Sequence, residues 1–129
     1  MAKIERFEDI EAWKLAREAT KQIYLISSLG EFYRDYALKD QIRKSSISTM
    51  SNIAEGFERE GNKEFVNFLS IAKGSCAESR SQLYVALDQK YITDVQFRTT
   101  YDCLLETGQR IGGFMKYLRG SDFRGSKFI

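Results

Sequence analysis

The chain has 129 residues, 43% of them apolar and 29% charged, enough for one domain to bury a core without disulfides or metals. Histidine is absent, which removes the commonest metal ligand and the commonest general base, and the balance of 20 basic to 18 acidic residues is too even for bulk charge to argue a nucleic-acid partner. No apolar stretch is long enough to cross a bilayer, and the start Met1-Ala2-Lys3-Ile4-Glu5-Arg6 leads into no signal-peptide run, so no membrane partner and a cytoplasmic location are expected.

Proline is also absent, and glycine gathers near places where a helix would begin or end, a pattern that favours long helices joined by short turns. Residues 9–29 form the first predicted helix, with Asp9 placed to cap its opening amides and Gly30 to close it. The second is predicted over 35–57, from Asp35 to a stop around Gly56. Asn62 is the candidate cap of the third, 62–90, where Phe65, Phe68, Leu69, Ala72, Cys76, Leu83, Ala86 and Leu87 fall on one face. Thr93 and Gln96 make a capping-box signature for the fourth, 93–119. In that helix Phe97, Tyr101, Leu104, Gly108, Ile111, Met115 and Leu118 alternate steps of four and three, while Gly108 and Gly112 would let a neighbouring backbone approach closely. Short turns between long amphipathic helices imply antiparallel neighbours, so the expected architecture is an all-α, up-down-up-down four-helix bundle over residues 1–120 with a short basic tail, 121–129. Cys76 and Cys103 read as core-filling thiols, and no catalytic, cofactor or metal site is expected.

Some residues exceed what a lone bundle needs. In the second helix Leu38, Ile42, Ser46, Thr49 and Ile53 make the inward stripe, but Ile47, Met50 and Ala54 lie outside it; the third helix carries Val66, Ala77, Tyr84 and Tyr91 on a second line. Two such lines suggest self-contact in an oligomer, with Ile47, Met50, Val66, Tyr84 and Tyr91 as interface candidates. Gln41, Ser45, Ser48, Asn52 and Glu55 form a polar seam beside the apolar stripe, better suited to a hydrogen-bonded helix contact than to a dry core. Glu55 lacks a partner for catalysis and reads instead as an ion pair with Arg59. Candidate nucleic-acid contacts are Lys73 and Arg80 on the third helix and Arg110, Lys116 and Arg119 on the fourth. Beyond them, Arg124 and Lys127 stand among Tyr117, Phe123 and Phe128, cations beside rings that could stack bases, with Asp122 the one acid of that stretch.

The string Ser51-Asn52-Ile53-Ala54-Glu55-Gly56-Phe57, followed by Glu64-Phe65, Phe68-Leu69, Ala72, Gly74-Ser75 and Glu78, resembles the bacterial four-helix bundle proteins of the 23S rRNA intervening-sequence family. The segment from Phe7 through Trp13 to Ala16 looks like that family's opening, and Gln41-Ile42-Arg43 like the run into its central motif. The resemblance implies a four-helix subunit of a ring-like homopentamer. It extends to the accessory proteins of diversity-generating retroelements, which implies nucleic acid and a reverse transcriptase as partners. One departure is Met50, where related sequences often have proline, so the second helix should be less kinked here. Three readings of function stay open: a non-enzymatic oligomeric scaffold that contacts RNA or DNA through its basic surface, a protein-interaction module for which nucleic acid is incidental, and, third, an enzyme.

Overall fold

A computed structural model describes residues 4–120; the expected basic tail, with Phe123, Arg124, Lys127 and Phe128, lies outside them. The chain enters through a 3-10 turn at Phe7–Asp9. Asp9 does not cap the first long helix. Its carboxylate accepts the backbone N–H groups of Glu5 at 3.0 Å and Arg6 at 3.1 Å, which holds the acid below the usual carboxylate range and folds the entry segment back on itself. Helix α1 then runs Glu11–Ile26, with Ala12, Ala16, Ala19, Ile23 and Ile26 turned inward.

Gly30 has a φ of +54°, the left-handed region expected at a helix end, yet it opens an additional short helix, α2, Gly30–Arg34. This insert was not expected from the spacing. It exists because one apolar residue, Phe32, is driven completely out of water and closes the top of the core. Asp35 caps the next helix as its position suggested: one carboxylate oxygen accepts the Leu38 N–H at 3.1 Å, and the other accepts the Tyr91 hydroxyl at 2.9 Å.

Helix α3, Tyr36–Glu58, continues through Met50 without interruption and also through Gly56, which is therefore no terminator. A Cβ on Gly56 would stand 2.7 Å from Phe68 Cβ and 2.8 Å from Phe65 Cδ1, so at this glycine the following helix comes too close to α3 to leave room for a side chain. Helix α4, Gly61–Asp88, opens on Gly61 at φ +80°. Asn62 is not its cap: its amide donates to the Leu118 carbonyl at 3.0 Å and so ties the start of α4 to the end of the last helix. Helix α5, Asp94–Arg119, carries the expected capping box, with the Gln96 N–H on Thr93 Oγ1 at 3.1 Å and the Thr93 N–H on Gln96 Oε1 at 2.9 Å.

The long helices pack in the cyclic order α1, α3, α4, α5, each antiparallel to its chain neighbour, an up-down-up-down bundle with α2 at the top. Ile53, Phe57, Phe65, Leu69, Ile111 and Leu118 fill the lower half of its interior, and Ile23, Phe32, Ile42, Leu83 and Leu104 the upper half. Cys76 is fully buried at mid-height, donating its S–H to the Leu104 carbonyl at 3.1 Å; burial pushes this thiol, and that of half-buried Cys103, up to about 11.

Candidate nucleic-acid interface

Helix α4 presents two chemically different flanks. Toward α3 it carries hydroxyls that meet the polar seam: the Ser45 and Ser79 oxygens are 2.6 Å apart, those of Ser48 and Ser75 are 2.9 Å apart, and Ser45 also reaches Gln82 Oε1 at 2.9 Å. Asn52 closes the series by donating to the Ser48 carbonyl at 2.8 Å and the Ser48 hydroxyl at 3.0 Å. The central motif thus belongs to the architecture. Ile53 is core, Gly56 permits the close approach, Asn52 satisfies the seam, Glu55 pairs with Arg59 at 2.9 Å, Ser51 is exposed and Ala54 is half-buried.

Toward α5 the same helix lines a trough. Gly74 and Ala77 on α4 and Gly108 and Gly112 on α5 share its lining, and these small residues leave a groove of about 680 Å³ between the two helices. Lys73 and Arg80 line it. The Lys73 stem lies along Gly112, whose Cβ, were there one, would be 3.4 Å from Lys73 Cε. Arg80 donates from Nη1 to the Tyr101 hydroxyl at 3.4 Å, while its buried Nε meets no acceptor among the described residues. The Arg80 bond, with a further one from Tyr84, holds the Tyr101 phenol below its ordinary range.

Two smaller depressions of about 410 Å³ each continue the trough toward the ends of the bundle. The lower one is lined by Lys63, Asn67 and Arg119 among others, the upper one by Tyr84, Val95 and Arg98 with the acid Asp94. Lys63 and Arg98 escaped the sequence reading. The signal for them was present as heptad spacing: Lys63, Ser70, Ala77 and Tyr84 form one row on α4, and Arg98, Leu105, Gly112 and Arg119 form the facing row on α5.

Of the five nominated cations, Lys73, Arg80 and Arg119 therefore share the α4–α5 face. Lys116 is exposed one turn beyond Gly112 on α5. Arg110 does not join them: it lines a separate apolar groove of about 420 Å³ beside α1, with Phe114 and Tyr117, and approaches Glu106 at 3.6 Å. Its position on the wheel differs from that of Gly112 by two residues, which turns it away from the trough.

The second apolar lines are only partly free. Ile47 is 43% exposed and Tyr84 47%, but Val66 is buried in the lower core at 9%, and Met50 packs half-buried against it. Tyr91 stacks on Phe32 at 5.6 Å and is bonded to Asp35. Val66 and Tyr91 are thus accounted for inside the subunit, because α4 is covered by α3 on one side and α5 on the other and needs apolar residues over a wide arc. Tyr84, though exposed, meets Phe97 and Tyr101 at ring distances of 4.9 and 5.6 Å.

Among the described residues no group of three or more Cys, Asp or Glu side chains could hold a metal ion, and no helix is long and apolar enough to cross a membrane. No curated protein matches the chain. A crystal structure at 1.70 Å of a protein of unknown function from the S23 ribosomal protein family of Bacteroides thetaiotaomicron VPI-5482 matches it with a TM-score of 0.74 and 23% identity, covering 81% of this chain and 98% of that one. At that identity the likeness bears on the fold. The family model described as 23S rRNA-intervening sequence protein matches residues 8–113, and with the bundle and its central motif in place, the chain belongs to that family.

Proposed function

We propose that the chain is a non-enzymatic helical scaffold that binds RNA or DNA along the α4–α5 trough. One observation carries this reading: Lys63, Lys73, Arg80 and Arg119 line the trough and its lower extension, and among the described residues no carboxylate lines either. Cations along a groove, without internal anions, hold a phosphate backbone by displacing its counterions, which makes binding salt-dependent and largely independent of sequence. Lys116 extends the row on α5. The upper extension is weaker, since Asp94 lines it and Arg98 approaches Asp102 at 3.3 Å.

Binding of labelled RNA and DNA measured across a salt series tests the reading. Affinity should fall steeply with salt in the wild type, and Lys73→Gln/Arg80→Gln should reduce the slope by about 2. Affinity that does not fall as ionic strength rises would overturn it.

The assembly we propose is a ring-like homopentamer, supported by the exposed Ile47 on α3 and by the family resemblance. Light scattering should return five times the subunit mass; a monomer would refute this part alone. In the competing reading, the surface docks a protein such as a reverse transcriptase, and that contact would survive neutralisation of the trough.

A further inference from the structure

At the top of the bundle, far from the trough's lower end, a second cationic surface has a different construction. Lys39 is only 8% exposed, and its ammonium lies 3.9 Å from the ring centroid of Tyr33 and 4.6 Å from that of Tyr36. One turn further along α3, the Arg43 guanidinium stands 4.3 Å over the Tyr24 ring, fixed by bonds from Nε to Ser27 Oγ at 2.9 Å and from Nη2 to Ser28 Oγ at 3.1 Å. Every partner of these two cations among the described residues is neutral. Among the described residues no carboxylate comes within the 4.0 Å of an ion pair with either: Glu31 is taken by Arg34, Asp35 caps α3, and Asp40 is exposed between them without pairing.

The rings meanwhile remain open to solvent, Tyr33 at 47% and Tyr36 at 63% exposed, with Leu29 beside them at 58%. A core function does not explain rings left in water around a cation drawn out of it. Desolvating a charge is unfavourable, and a cation–π contact only partly offsets it. What the arrangement lacks is an anion and something flat. Lys39 stands against two rings and Arg43, one turn along α3, against one. An acidic peptide would satisfy the charges and leave the rings unused.

We infer that the α2 end of the bundle is a stacking surface for unpaired bases of a single-stranded nucleic acid, with Tyr33 and Tyr36 receiving bases and Arg43, less buried than Lys39, receiving a phosphate. This rests on the nucleic-acid reading of the trough and adds a preference for single strands, since bases paired in a duplex do not present their faces.

The test uses the full chain, a labelled oligodeoxythymidylate carrying one fluorescent adenine analogue whose emission falls on stacking, and a blunt duplex. Tyr33→Leu/Tyr36→Leu, with helicity checked by circular dichroism, should weaken single-strand binding by about tenfold or more, abolish the emission loss, and leave duplex binding and the salt slope unchanged. Arg43→Gln, which leaves the tyrosines in place, should lower the single-strand salt slope. Unchanged single-strand affinity and emission in the tyrosine variant, while Lys73→Gln/Arg80→Gln still flattens the salt dependence, would overturn this inference and leave the trough standing. Wild-type protein that binds neither probe would remove both. A fall in solution mass in the tyrosine variant would assign the surface to contact between copies and also overturn the inference.

Discussion

The two flanks of α4 solve the same packing problem in opposite ways. Against α3, polar side chains meet polar side chains at 2.6–2.9 Å, and Gly56 lets the helices close onto Phe65 and Phe68. Against α5, glycines and an alanine face each other across a trough that stays open, with cations along its edges and, among the described residues, no anion in its central part. Polar groups that find partners inside the fold build a contact, whereas charged groups left without them define a surface available to something else.

The contrast can be broken first at the glycines. Gly56→Ala would place a methyl group 2.7 Å from a Cβ that cannot swing away, so a loss of about 1–3 kcal/mol is expected, read as a lower urea midpoint. Next comes the hydroxyl series: Ser45→Ala removes a partner from both Ser79 and Gln82 and should cost about 1–2 kcal/mol, while Ser45→Ala/Ser79→Ala should recover part of it. A double-mutant cycle in thermal melts measures the coupling. If the cycle shows none, the seam does not hold α3 to α4.

On the other flank the sign should reverse. An added Cβ at Gly74 meets nothing within 4 Å, so Gly74→Ala is expected to stabilise the bundle by about 0.5–1 kcal/mol through helix propensity while narrowing the trough. Smallest of all, Lys73→Gln/Arg80→Gln should alter stability by no more than about 0.5 kcal/mol, even as it changes the salt dependence of nucleic-acid binding. A large stability loss in that variant would make the trough cations structural.

The bundle and most of its core could be read from helical spacing, because burial selects one face of a helix whatever that face packs against. The polar seam was equally legible, since serine and asparagine repeating in steps of four and three have few other uses. Helix ends were less so. Asp9 and Asn62 both look like caps, and both spend their side chains elsewhere, Asp9 on the entry turn and Asn62 on the Leu118 carbonyl 56 residues away. The aromatic surface at the top went unread because Tyr24, Tyr33, Lys39 and Arg43 come from three helices, one of them the five-residue insert that no periodicity announces.

What the amino-acid sequence determined by itself is the set of long helices and their inward faces, which follow from the repeat of a helix and from local chemistry, together with the motif that carries the family resemblance. Only the tertiary structure decided which cations share a face, separating Arg110 from Lys73, Arg80 and Arg119 and adding Lys63. It likewise decided that Val66 and Tyr91 serve the subunit's own packing. The physical reason is the same in each case: spacing places a side chain on a helix, but its partner is set by the angle and distance at which a second helix arrives.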